Sequence, residues 1–383
     1  MTKTNRITIK IGTAVLTRPD GSPSQEVIDI LVDDVANLKD KGIQVAIISS
    51  GAVNLGRSVP ELRDRHFKLE QSGKINPETL REQILAAVGQ PKLIAVYSTG
   101  FEKRGYHCAQ LLVTRSDFAD RKFYLSLRVV TEELLRLGII PIFNENDVLT
   151  AEEINFGDKD QLAMMVSAML NTDRLIVLTN VDGVFDRLPH DDQGATRLSK
   201  IEDVQRFLER CEVATHSPSG KGGMRSKLLC AETLASLGIP MSIGSGLTKQ
   251  PITRLLRDWG NKGTTFPVVK QRARASKTWL VTASVPSGKI IVSTYLAEVF
   301  HNKRAASVLL AGIESVQGNF GKKDVVEVCD DDGTVLARGL VRFSSEELVA
   351  KVKKYRDLPD EEKAQVNAAD VIAVHYNDLV FMR

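Results

Sequence analysis

From Ile7 to about Ile243, short apolar runs of strand length alternate with longer stretches whose apolar residues recur at helical spacing. Ile7–Ile11, Val45–Ile48, Gln110–Val113, Ile139–Phe143 and Leu175–Leu178 read as strands. Val27–Leu38, Leu80–Val96, Phe123–Leu137, Asp160–Leu170 and the run Leu228, Leu229, Ala231, Leu234, Ala235 read as helices. Strands alternating with helices predict an α/β fold, a parallel-rich sheet sandwiched by helices on both faces. In such sheets ligands bind beyond the carboxyl ends of the strands. Polar residues gather there: Gly12 and Thr13 after the first strand, Ser49 to Gly51 after the second, Asn144 to Asp147 after the fourth, Thr179 and Asn180 after the fifth.

The rhythm breaks at residues 261–277, where Gly, Pro and a basic run follow one another. This divides the chain into a first domain over 1–262, a linker over 263–275 and a second domain over 276–383. In the second domain short strand patterns, Lys289–Val292, Val325–Val328 and Thr334–Arg342, are punctuated by "PSG", "QGNFGKKD" and "DDDG", which predicts a small β-rich unit.

Composition narrows the classes. The 383 residues suit two domains, and 43% hydrophobic with 26% charged residues is a globular composition. A net charge of +3 builds no strong field for nucleic acid or an anionic membrane. Cys108, Cys211, Cys230 and Cys329 are scattered with no C-x-x-C pair, and the six histidines are isolated, so neither a disulfide framework nor a zinc site is expected. With no signal-peptide pattern and no long apolar span, a cytoplasmic enzyme without membrane contact is expected.

Two lysines stand out. Lys10 lies inside an apolar strand, where an ammonium is costly to bury unless an anion meets it, or else snorkels to solvent from an edge. Gly12, just beyond, lets a backbone approach a phosphate closely. "SPSGKGGMRSK" (217–227) is a glycine-rich loop that ends in Lys227 and feeds a helix, a favourable place for an anion and equally the composition of a surface linker. Neither the P-loop nor the dinucleotide fingerprint is present. "NEND" (144–147) and "FGDKD" (156–160) add carboxylates at two further turns; such residues are otherwise helix caps and turn formers, and Asp158 or Asp160 could cap the following helix.

In this order, "ITIKIGTAVLT", "IISSGAVNLG", "AAVGQPKLI", "LLVTRSDFADRKFY", "GIIPIFNENDV", "FGDKDQLAMMV", "LTNVDGVF" and "GKGGMRSKL" resemble the bacterial glutamate 5-kinases of the amino-acid kinase superfamily. "SKTWL", "GIESVQGNF" and "VIAVHYNDLV" resemble the PUA domain that many of those enzymes append. The resemblance implies transfer of the ATP γ-phosphoryl group to the γ-carboxylate of L-glutamate, giving γ-glutamyl phosphate, the first step of proline biosynthesis. It implies catalytic roles for Lys10, Lys227 and Asp160, the aspartate orienting the two lysines, whose side chains are expected to face the cleft. Ser50, Gly51, Asn144, Asp147 and Lys159 would hold the acceptor, with Asp147 suited to its α-ammonium. Lys10, Gly12, Thr179, Asn180, Lys221, Gly222, Gly223, Met224, Arg225, Ser226 and Lys227 would hold the nucleotide, with Mg²⁺ bridging the phosphates. The same resemblance implies a homo-oligomer, a dimer or tetramer.

The chain departs from the family pattern in three places. Lys159 stands for a substrate-contacting asparagine, Asn180 for an aspartate, and Lys221 and Arg225 add positive charge to the glycine turn. Lys159 could hold an acidic group of the acceptor, turn to solvent, or pair with Asp158 or Asp160. It and the stretch 63–78 support an alternative, a related kinase acting on another acidic substrate. A second alternative, RNA binding through the PUA-like domain, meets a count from Ser276 to Arg383 of fourteen Lys and Arg against fifteen Asp and Glu, where phosphate contacts call for a basic surface.

Overall fold

The computed structural model describes residues 4–18, 20–63, 76–149, 159–187, 194–210, 223–257, 261–268, 275–302, 304, 306–363, 365–367 and 370–382. The chain divides into two compact units, Met1–Arg272 and Ala273–Arg383.

In the first unit, β1 (Arg6–Ile11), β2 (Gln44–Ser49), β3 (Cys108–Val113), β4 (Ile140–Glu145), β5 (Arg174–Thr179), β6 (Met241–Ser245) and β7 (Thr264–Phe266) form one sheet in the order β3-β4-β2-β1-β5-β6-β7. Every neighbouring pair is parallel except β6 and β7. The stretch 263–275, read as a linker, therefore supplies β7 of this sheet: Thr264, Thr265 and Phe266 are buried and pair with Ile243, Ser242 and Met241. Three residues are too few to show a strand period against the surrounding Gly and Pro, and register with β6 decides the matter. β4 likewise runs on through Asn144 and Glu145, which the sequence reading placed after it.

Strand alternation sorts β1 onto two faces. Ile7, Ile9 and Ile11 enter one apolar cluster with Val45, Ile47, Ile142, Ile176 and residues of helices Gln25–Asp40 and Pro77–Glu102. Thr8 and Lys10 point the other way, to the face covered by helix Lys159–Met169, against which helix Met224–Ser236 packs. Because β1 is central, Lys10 has no edge from which to snorkel.

The chain leaves β1 toward β2 and leaves β5 toward β6, so a crevice opens where these two adjacent strands end. Gly12 closes the floor there, its N–H donating to the Leu178 carbonyl at 3.0 Å. Gly51 follows β2 with φ 103°, a left-handed conformation that favours glycine, and starts helix Ala52–Arg57. That helix lies directly on Pro77–Glu102: a Cβ at Gly89 would stand 1.8 Å from the Ala52 carbonyl oxygen, and one at Gly56 would stand 2.0 Å from that of Leu85.

The second unit has its own six-stranded sheet and core. β8 (Gly288–Val292), β9 (Val308–Leu309), β10 (Ile313–Gly318), β11 (Val325–Cys329), β12 (Val335–Val341) and β13 (Ile372–Phe381) run in the order β10-β8-β11-β12-β13-β9. Helices Thr294–His301 and Ser345–Asp357 bury Leu296, Phe300, Leu348 and Val352 against it. The second helix starts at a capping box, where the Ser344 hydroxyl accepts from the Glu347 N–H and the Glu347 carboxylate accepts from the Ser344 N–H, both at 3.3 Å. Among the described residues of either unit, no helix is long and apolar enough to cross a membrane.

Candidate active site

Three charged side chains meet on the Lys10 face. Lys10 Nζ lies 2.8 Å from Asp160 Oδ1, and Lys227 Nζ lies 2.8 Å from Asp160 Oδ2. Asp160 sits in the first turn of helix Lys159–Met169 and is only 1% exposed. Its two carboxylate oxygens are turned to the lysines of β1 and of helix Met224–Ser236. Lys227 lies in the first turn of helix Met224–Ser236, and its ammonium also donates to the Gly223 carbonyl at 3.3 Å. Both lysines, expected to face the cleft, are 6% and 8% exposed, with their ammonium groups held on the Asp160 carboxylate. The cluster holds two positive charges against one negative, and two helix N-termini open onto it, so the residual field favours an anion.

Burial alone would push the Asp160 carboxyl up, but the adjacent Lys10 and Lys227 ammonium groups outweigh it and hold the carboxyl at about 2, against an ordinary 3.8. A folded value below the unfolded one gives stability that is present above the unfolded value and lost as pH falls through the folded one. We expect acid titration of unfolding to show this loss, on the order of 2 kcal/mol, between about pH 4 and pH 2. Asp160→Asn removes that part of the profile. A variant profile parallel to the native one would assign the acid loss to other groups.

A second polar cluster lies at the end of β4. Lys159 Nζ is 2.9 Å from Glu145 Oε2 and 3.1 Å from Asp147 Oδ1. The Glu145 side chain is 4% exposed, that of Lys159 20% and that of Asp147 25%, so the group is anchored inside and opens outward at Asp147. Lys159 thus neither turns to solvent nor pairs with Asp160, and the Asp147 carboxylate, read as the partner of an acceptor ammonium, already holds one from the chain. Next to it Asn144 is 1% exposed; its side-chain amide donates to Gln90 Oε1 at 2.7 Å, and its side-chain oxygen accepts from the Glu145 N–H at 2.9 Å.

The remaining site residues ring these clusters. Ser50, 5% exposed, and Gly51 follow β2, which pairs with β1 on one side and β4 on the other. Gly12 lies between the ends of β1 and β5, beside Thr179, whose hydroxyl donates to Asn180 Oδ1 at 3.2 Å. Gly223, Met224, Arg225 and Ser226 form the N-terminus of the helix that carries Lys227. Lys221, Gly222 and Asp158 lie outside the described residues, as does most of the stretch 63–78.

Two residues of the site carried no role in the sequence reading. Glu145 was visible in "NEND", but only β4 and the Lys159–Met169 helix together make it an ion-pair anchor. Gln90 was visible as a polar position beside Gly89 in an amphipathic helix, with its partner 54 residues away.

A model of the amino acid kinase family matches residues 5–245, and a model of the PUA domain matches residues 288–357. A protein of Bartonella henselae named glutamate 5-kinase is 34% identical over 375 residues, spanning 98% of this chain and 95% of its own. One of the same name from Caldanaerobacter subterraneus is 36% identical over 349 residues, spanning 91% of this chain and 90% of its own. A solved isopentenyl phosphate kinase structure aligns with 68% of this chain and 100% of its own at 19% identity and a TM-score of 0.48. Matched by the family model through the whole Lys10–Asp160–Lys227 unit and by relatives along nearly its full length, the chain belongs to the amino acid kinase family and carries a PUA domain later in its sequence.

Proposed function

We propose that the protein is an ATP-dependent kinase that transfers the γ-phosphoryl group to the γ-carboxylate of L-glutamate, forming γ-glutamyl phosphate and supplying proline biosynthesis. The observation that carries this reading is the Lys10–Asp160–Lys227 cluster, a buried cationic unit where β1 and β5 end, in a chain whose relatives bear the name glutamate 5-kinase. An acceptor carboxylate is already ionised at neutral pH, so the chain need supply no general base. Its task is to align donor and acceptor and to neutralise charge on the group in flight.

Lys10 and Lys227 meet the oxygens of the transferred group from opposite sides of Asp160, which keeps both ammonium groups aimed and neutralises one of them while the site is empty. The first N–H groups of helix Met224–Ser236, with Gly223, Arg225 and Ser226, receive phosphate oxygens, and the family pattern assigns Lys221 and Gly222 to the same nucleotide group. Gly12 admits the phosphate chain to the floor, and Thr179 and Asn180 lie on the nucleotide side. Ser50, Gly51, Asn144, Asp147 and Lys159 line the acceptor side, where Gln90 and Glu145 position Asn144 and Lys159. Both Asp160 oxygens are committed to lysines, so this donor set fits a Mg²⁺ ion carried in on the triphosphate rather than one ligated by Asp160. Such an ion would supply further neutralisation of phosphate charge. A dimer or tetramer is the assembly we propose, and the cytoplasm its location.

The protein with Mg-ATP and L-glutamate should release ADP and, with hydroxylamine present, accumulate γ-glutamyl hydroxamate. Hydroxamate from other acidic carboxylates but none from glutamate would replace this reading with the related-kinase one.

A further inference from the structure

The acceptor side contains a cation slot that the protein fills itself. Glu145 at the end of β4 and Asp147 two residues on converge on one point, and Lys159 Nζ stands at that point, 2.9 and 3.1 Å from their oxygens. Lys159 directly precedes Asp160, so the slot is tied through one peptide unit to the cluster that handles phosphate. It lies on the β2 and β4 side of β1, away from Thr179 and helix Met224–Ser236. The ammonium is largely covered, and Glu145 beneath it is almost wholly so.

We infer that Lys159 is a specificity-determining residue that relieves the acceptor of the need for an α-ammonium group, so that the site accepts dicarboxylates with and without one. This deepens the kinase reading and rests on it for the identity of the acceptor. A binding site discriminates strongly for a polar substrate group when the analogue lacking that group leaves buried partners unpaired. Here a dicarboxylate lacking the ammonium leaves Glu145 and Asp147 still paired with Lys159. An α-ammonium entering the slot must in turn share Asp147 with a like charge. Both effects act in the same direction and shrink the preference for an amino acid over its des-amino analogue.

The test compares L-glutamate with glutarate in two readouts, hydroxamate formation with Mg-ATP and calorimetric binding, for the native protein, Lys159→Asn and Lys159→Arg. The native protein should favour glutamate over glutarate by less than about tenfold in kcat/KM and in Kd, well short of the 10⁴-fold or greater rejection available to a site that needs the missing group. Lys159→Asn opens the slot and should raise that ratio by tenfold or more, while Lys159→Arg keeps the cation and the native ratio. A merely structural lysine would lower affinity for both acceptors and leave the ratio unmoved. A native preference for glutamate above about a hundredfold, or a ratio unchanged in Lys159→Asn, overturns the inference and leaves the kinase reading standing. Binding of both acceptors in the expected ratio without phosphoryl transfer would overturn the kinase reading alone, and binding of neither would overturn both.

Discussion

Lys10→Met and Lys227→Met should each lower kcat by roughly 10²–10³, the scale seen when one preorganised electrostatic stabiliser is lost. Methionine keeps most of the apolar stem that packs in β1 and in helix Met224–Ser236 and removes only the ammonium. The loss should fall on kcat more than on KM for the acceptor, because the lysines meet charge that spreads over the transferred group in the transition state. Stability should also fall, since each lysine is a buried partner of Asp160, but by less than removal of Asp160 itself, because each variant leaves one 2.8 Å ion pair in place. Asp160→Asn strands both ammonium groups at about 3–5 kcal/mol, the usual cost of breaking a buried pair. Steady-state kinetics paired with thermal unfolding separates the two effects. Near-normal kcat in either methionine variant would take that lysine out of the phosphate contact and leave it a structural partner of Asp160.

Gly89→Ala should destabilise the catalytic unit by about 3 kcal/mol, the upper part of the range for forcing atoms into a filled contact. The added methyl carbon would overlap the Ala52 carbonyl oxygen at 1.8 Å and the Gly56 nitrogen at 2.5 Å, and neither backbone atom can swing aside as a side chain could. Helices Ala52–Arg57 and Pro77–Glu102 must therefore separate. The first of them begins at Gly51, and the second carries Gln90, which holds Asn144, so two supports of the acceptor side move together. Alongside the lower unfolding midpoint we expect a raised KM for the acceptor and a smaller change in KM for ATP. Ala87→Ser, on the exposed side of the same helix, should stay within about 0.5 kcal/mol of the native protein. Equal stability of Gly89→Ala and the native protein would mean that the two backbones are not in contact in solution.

Much of the fold was legible along the chain because it is written in local periods. The apolar runs of β1, β2 and β5 and the helical spacing between them define an α/β sheet whose ligands belong at the strand ends. A charged residue inside the apolar run Ile7–Ile11 marks Lys10 as unusual without any knowledge of its surroundings, and the glycines before Lys227 mark a helix start suited to anions. The order of motifs supports the family. Three residues of β7 and the helices of the second unit were not legible, because a three-residue strand has no period and a helix such as Ser345–Asp357 becomes distinct through its capping box and the sheet it covers.

What only the tertiary structure decided is which charges meet. Lys10, Asp160 and Lys227 lie on three separate elements, and no local rule states that β1 alternation, the first turn of one helix and the first turn of another converge within 2.8 Å of a single carboxylate. The same holds for Lys159. Its charge is plain in the sequence, yet the adjacent Asp160 suggested a partner that the structure gives to Lys10 and Lys227. Asp160 is turned to the sheet by Lys10 and Lys227, and the crossover that brings helix Lys159–Met169 over β4 delivers Glu145 and Asp147 instead. Periodicity determines which side of an element a residue occupies; the partner is set by strand order and crossover, because an ion pair depends on distance in space and not on separation along the chain.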